Sequence, residues 1–147
     1  LVAAEMDDLD LVILGDGPER AEIERRAAGH GLSGRVHLPG HVGNMSDWYA
    51  RADAFVLTSE REGFPNALME ALAVGVPAVS LDCPTGPRDL IEDGVNGFLA
   101  PMSSGAEGVA EALRKAMSLD LGERERAAAR LRERLRIETI SEMWLNA

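Results

Sequence analysis

Apolar runs of four to six residues alternate along this chain with longer stretches whose apolar positions recur at helical spacing. The runs at 9–14, 35–38, 54–58, 77–81 and 97–100 predict strands, and the longer patterns at 18–31, 46–51, 65–75, 88–92, 105–118, 123–136 and 137–145 predict helices. Strand and helix in alternation indicate the α/β class, because parallel strands need crossovers and the crossover helices cover both faces of the sheet. Each strand except the last is followed by turn chemistry: Gly15-Asp16-Gly17-Pro18, Pro39-Gly40, Ser59 through Gly63, and Pro84-Thr85-Gly86-Pro87. Loops of this kind gather at the carboxyl edge of a parallel sheet, where open α/β folds bind ligands.

Charge placement supports the helices. The 18–31 segment opens with Pro18, Glu19 and Glu22, carries Arg25 and Arg26 later and closes on Gly29 and Gly31, in the sense the helix dipole favours. The 123–136 segment alternates charge on a polar background and predicts a solvated helix.

The stretch from Ser59 to Pro77 carries the most chemistry. Pro65 suits a first helical position, since its missing N–H would be unpaired there. The N–H groups of Asn66, Ala67 and Leu68 then become free donors at the positive end of a helix, suited to phosphate. Gly63 removes a side chain where a ligand could approach the backbone. Glu62 lies in the loop and Glu70 on the helix, among the small and apolar Ala67, Leu68, Ala71, Leu72 and Gly75, which predicts close burial of Glu70. A carboxylate so placed needs partners, and ribose or sugar hydroxyls fit, because an ionised carboxylate only accepts hydrogen bonds. From spacing alone, both glutamates also fit surface positions of an amphipathic helix.

The charge balance narrows this picture. Of 147 residues, 46% are hydrophobic, 15 are basic and 25 acidic, for a formal net charge of -10, and Lys115 is the one lysine. A general nucleic-acid or anionic-membrane surface is therefore not expected. Residues 120–147 hold six arginines and six acids, leaving nine bases against nineteen acids in residues 1–119. An anion bound by this part must be held with few side-chain cations. The lone Cys83 excludes an intrachain disulfide and reads as a small apolar residue after a strand. No apolar run approaches the roughly 20 residues of a membrane span. Leu1-Val2-Ala3-Ala4-Glu5 is neither a signal peptide nor a normal initiation, so the chain is expected to begin within a longer protein.

Residues 62–70, E-G-F-P-N-A-L-M-E, resemble the E-x7-E signature of the retaining nucleotide-sugar glycosyltransferases of the family 4 type, which have the GT-B fold. Four further segments resemble that family in the same order: L-V-I-L-G-D-G-P-E at 11–19, V-H-L-P-G-H-V at 36–42, D-W-Y-A-R-A-D-A-F-V-L-T-S at 47–59 and G-V-N-G-F-L-A-P at 94–101. The resemblance runs over about residues 1–118. It implies a Rossmann-like nucleotide-sugar-binding domain there, with helices at 119–147 that pack on it or reach towards an N-terminal domain.

By position, the resemblance gives Glu70 the ribose hydroxyls and Glu62, as the catalytic carboxylate, a hydroxyl of the donor sugar. Gly63, Phe64, Pro65, Asn66 and Ala67 would hold sugar and diphosphate, and His41 and Val42 would frame the base; a surface-loop histidine is the other reading of the His41 side chain. Gly15 and Gly17 match the family's glycine turn beside the diphosphate. Arg20 at the sixth position breaks the G-x-G-x-x-G pattern, so a nicotinamide dinucleotide is not expected; a plain strand-to-helix turn is the other reading. Arg88 reads either as a phosphate contact or as half of a surface salt bridge, and Asp89 stands where many relatives have a glutamate.

Relatives of this family pair two Rossmann-like domains, and the chain resembles the donor-binding C-terminal one without its first, central strand or most of its first helix. That element brings an arginine and a lysine to the diphosphate in the family, and residues 1–8 would be its end. The strands at 9–14 and 54–58 are therefore expected not to pair directly. The function implied is sugar transfer, of hexosyltransferase type, from a nucleoside-diphosphate sugar to a glycan, lipid or small-molecule acceptor, with the isolated chain inactive. UDP is favoured because residues 82–88, D-C-P-T-G-P-R, look like bacterial enzymes that build surface polysaccharides. No cofactor, metal or nucleic-acid partner is expected. The parent would be cytoplasmic, with peripheral association at the inner face of the membrane. The alternatives are a non-catalytic nucleotide- or partner-binding domain, and an epimerase or phosphorylase-like enzyme of the same architecture.

Overall fold

The computed structural model describes residues 2–136, so the helix expected at 137–145 lies outside the described residues. The chain forms two compact units, Leu1–Met45 and Ser46–Ala147. The first unit contains a 3-10 turn (Val2–Ala4), strand β1 (Leu11–Leu14), helix α1 (Arg20–Gly29) and strand β2 (Val36–Gly40). A short helix α2 (Met45–Tyr49) straddles the division. The second unit contains β3 (Phe55–Leu57), α3 (Asn66–Ala73), β4 (Ala78–Leu81), α4 (Pro87–Leu90), β5 (Gly97–Ala100), a 3-10 turn (Met102–Ser104), α5 (Gly105–Met117) and α6 (Leu121–Arg134). The five strands and six helices that the apolar pattern predicts within the described residues all form, with ends moved by at most two residues.

In the first unit β1 and β2 pair in parallel, with Leu11 opposite Val36 and Val12 opposite His37. Apolar burial is sparse here, with Val2 and Ala27 the buried hydrophobics among the described residues of the unit. A hub of hydrogen bonds does much of the holding. The Arg35 guanidinium donates to the carbonyls of Ala3 (2.8 Å), Leu9 (2.7 Å) and Met6, tying the amino-terminal turn to the start of both strands. The expectation that residues 1–8 finish a helix is corrected: among the described residues 2–8 only the 3-10 turn forms. The N–H groups of Glu5 and Met6 both return to Val2 C=O, and the chain then turns towards β1.

In the second unit β3, β4 and β5 make a parallel sheet in that order. β4 is buried on both faces, as its unbroken apolar run predicts. Ala78 faces a core with Leu68, Leu72, Leu90, Ile91 and Leu131, while Val79 faces another with Ala100, Ala112 and Ala116. Helices α3, α4 and α6 therefore cover one side and α5 the other. The Asn96 side chain braces the turn into β5, with Oδ1 accepting from Glu92 N–H (2.8 Å) and Nδ2 donating to Leu90 C=O (3.2 Å). The 94–101 motif thus has a structural reason of its own.

Two further expectations are corrected. The helix at 123–136 was read as solvated, but α6 buries Ala127, Ala128 and Leu131 and packs on α3. Three small or single apolar residues suffice for that stripe because alanine lets the helices approach closely. The helix also starts earlier than read, with Asp120 as its N-cap accepting from Glu123 N–H at 2.9 Å. The second correction concerns α3, whose first helical residue is Asn66. Pro65 is its N-cap, with ψ at 86°, outside the helical region.

The five strands make two sheets, β1-β2 and β3-β4-β5. Within its own unit β1 pairs with β2 and β3 pairs with β4, and each leaves its other ladder edge open among the described residues. Leu11 and Val12 on β1 are 49% and 41% exposed, and Val56 on β3 is 37% exposed. No described helix is long and apolar enough to cross a membrane.

Candidate functional site

The site residues expected from the sequence fall into two clusters, one in each unit, both at the carboxyl ends of strands. In the first unit Gly15 directly follows β1 and donates its N–H to Gly40 C=O at 2.8 Å. This bond sets the Gly15-Asp16-Gly17 turn beside His41 and Val42. Gly15 has φ 106°, so its backbone needs glycine whether or not a ligand is bound. Gly17 is exposed, and its N–H donates to Asp16 Oδ1 at 2.9 Å. His41 is exposed and Val42 half-buried.

In the second unit the 62–66 loop and the start of α3 make the other cluster. The first i→i−4 bond of α3 runs from Met69 N–H to Pro65 C=O at 3.0 Å, and no side chain caps the helix. The N–H groups of Asn66, Ala67 and Leu68 precede that bond and carry the positive end of the helix dipole. Asn66 and Ala67 are exposed, as is Gly63, where an added Cβ would meet nothing within 4 Å. The fold's own packing therefore does not require glycine at 63. Phe64 is 50% exposed.

The loop is held from below by the turn after β4. Thr85 Oγ1 donates to Glu62 C=O, and Gly86 lies so close that a Cβ there would stand 2.7 Å from Pro65 Cδ and 2.8 Å from Gly63 O. Cys83 is fully buried, its Sγ donating to Thr85 C=O at 3.5 Å, which fits its reading as a small core residue.

Of the two readings of Glu70, close burial and a surface position on an amphipathic helix, the second is the one seen. It is exposed, because Leu68, Ala71 and Leu72 form the buried stripe of α3 and Glu70 lies about 200° round the helix from Leu68. That turn puts it on the same exposed face as Asn66 and Ala67. Its partner is Tyr49, whose hydroxyl donates to Glu70 Oε2 at 3.1 Å. Glu62 is half-buried, and its carboxylate has no hydrogen bond among the described residues. Arg88 forks onto Asp82, with Nη2 to Oδ2 at 2.6 Å and Nε to Oδ1. The salt-bridge reading of Arg88 is thus the geometry seen, and the hydrogen bonds from Arg88 hold the Asp82 carboxyl below the usual carboxylate range. Asp89 is exposed, with its carbonyl accepting from Arg134 at 2.6 Å.

Tyr49 was not singled out in the sequence. It is 7% exposed, and burial first, then the hydrogen bond to Glu70 and its charge, push the phenol up to about 12. An unfolded tyrosine titrates near 10. The folded state therefore holds its proton more tightly, and this contribution to stability is present below pH ~10 and lost as pH rises towards ~12. Because Tyr49 is the chain's single tyrosine, tyrosinate absorbance reports on it alone. We expect a midpoint near 12 in the wild type and a lower one in Glu70→Ala. A wild-type midpoint at the unperturbed value would contradict the geometry.

Among known proteins, the family model described as glycosyl transferases group 1 matches residues 1–118. An exopolysaccharide phosphotransferase of Streptomyces coelicolor is 41% identical over 108 residues, which is 73% of this chain and 11% of that protein. The lipopolysaccharide core biosynthesis glycosyltransferase LpsE of Rhizobium meliloti is 35% identical over 132 residues, 90% of this chain and 38% of that protein. Among solved structures, the pneumococcal O-GlcNAc transferase GtfA in complex with UDP and GlcNAc superposes with a TM-score of 0.81 at 28% identity, covering 99% of this chain and 30% of that one. The chain thus spans well under half the length of these relatives.

Proposed function

The chain belongs to the glycosyl transferases group 1 family, and we propose that it forms the donor-binding part of a retaining enzyme that moves a sugar from a UDP-sugar to a glycan, lipid or small-molecule acceptor. The observation that carries this reading is the exposed face of α3. Asn66 and Ala67 at its uncapped start and Glu70 one turn on are exposed there, next to a loop whose Gly63 leaves open space. The N–H groups would stabilise the charge that develops on a departing nucleoside diphosphate. Glu70 would accept the two ribose hydroxyls and Glu62 a hydroxyl of the donor sugar, with the acceptor attacking on the face the diphosphate leaves. UDP is chosen over GDP and ADP on the 82–88 segment and on the UDP bound in the pneumococcal relative.

Anion binding then depends on backbone donors, which accords with nine bases against nineteen acids in residues 1–119. Calorimetric titration of the folded chain with UDP, GDP and ADP tests the reading. We expect UDP to bind, and Glu70→Ala to weaken it by about tenfold to a hundredfold, the value of one or two hydrogen bonds to a charged acceptor. A folded sample that binds none of the three overturns the proposal.

A further inference from the structure

We propose that Tyr49 is a positioning residue for Glu70, holding one carboxylate oxygen so that the other stays turned outward for the ribose hydroxyls of a nucleoside diphosphate. The inference rests on the donor-site reading above. Tyr49 is itself well fixed: its ring is buried and stands edge-on to Phe55, with centroids 6.2 Å apart and planes at 63°. Its hydroxyl reaches Glu70 Oε2 at 3.1 Å across 21 residues of chain. Glu70 by contrast is exposed on its helix, and Tyr49 is the one hydrogen-bond partner seen for its carboxylate among the described residues.

An exposed glutamate samples many rotamers, and binding must freeze them. A hydrogen bond from a rigid phenol removes part of that freedom before the ligand arrives. It also leaves the acceptor capacity a ribose needs. A carboxylate offers about four lone-pair sites, and one phenolic donor uses one of them. Both hydroxyls of a cis-diol can still donate to the group. At neutral pH the phenol keeps its proton and so serves Glu70 as a donor.

A purely structural role for Tyr49 makes a different prediction, because it would not distinguish ligands with and without ribose hydroxyls. The test is calorimetry on the full chain with UDP and with 2′,3′-dideoxy-UDP, in wild type, Tyr49→Phe, Glu70→Ala and the double variant. Tyr49→Phe keeps the ring against Phe55 and removes only the hydroxyl. We expect it to weaken UDP by roughly three- to tenfold, to leave dideoxy-UDP unchanged and to add nothing to Glu70→Ala. Unchanged UDP affinity in Tyr49→Phe, while Glu70→Ala still loses binding, overturns this proposal and leaves the donor site standing. An equal loss for both nucleotides likewise overturns it, in favour of a structural role. Failure of the wild type to bind UDP, or indifference to Glu70→Ala, removes the donor site and this inference with it.

Discussion

Gly86→Ala is expected to lower both stability and nucleotide affinity, although Gly86 lies outside the E-x7-E segment. Two effects combine. Its φ of 94° lies in the left-handed region, where a Cβ costs about 1 to 2 kcal/mol. The added carbon would also stand 2.8 Å from Gly63 O and 2.7 Å from Pro65 Cδ. Neither atom is the free end of a flexible side chain, so the 62–66 loop must move away, at a further ~1 to 3 kcal/mol. We expect a total loss on the order of 2 to 5 kcal/mol in denaturant unfolding. On the donor-site reading, UDP binding should fall by more than tenfold in whatever fraction stays folded, since that loop sets the first N–H groups of α3. Unchanged values for both measurements would show that the turn after β4 does not support the loop.

The other large effect is expected at Gly97→Ala, and it is purely a matter of packing. Gly97 pairs with Ala78 across the β4–β5 ladder, and a Cβ on it would lie 2.1 Å from Ala78 O. β4 cannot withdraw, because Ala78 and Val79 are fully buried against helices on opposite sides of the sheet. The ladder must therefore open at its start, where Ala78 N–H also bonds Asn96 C=O at 3.0 Å. A cost of about 3 kcal/mol or more follows from overpacking and lost ladder bonds together. That is a large share of the roughly 5 to 15 kcal/mol that holds a typical domain folded. Denaturant titration followed by tryptophan fluorescence or circular dichroism should show the midpoint falling. Hydrogen exchange should localise the loss to β4 and β5; a wild-type midpoint would refute the expected clash.

Much of this was legible in the chain. The five strands and the helices through α5 follow from apolar runs and from glycine and proline at their ends, which act over a few residues. The E-x7-E segment, the free N–H groups of Asn66 to Leu68 and the closeness of Glu70 to them follow from helix geometry alone. Helix α6 was misjudged because alternating charges dominate its sequence, while the residues that bury it are mostly alanines, which contribute little to a hydrophobic pattern. Of the two readings of Glu70, the structure decided for the exposed one: small neighbours mark a packed helix but do not say which side of it a given residue faces.

What the sequence determined by itself is local: which segments become strands and helices, where a helix opens with unpaired donors, and which family the ordered motifs resemble. What only the tertiary structure decided is which distant groups meet. The Tyr49 hydroxyl on the Glu70 carboxylate, Gly86 beneath Pro65 and Gly97 against Ala78 join residues 19 to 21 positions apart. The physical reason is that hydrogen-bond reach and steric exclusion act within about 3 Å in space. The distance between two residues of a folded chain is set by how strands and helices stack, and no short window of sequence encodes it.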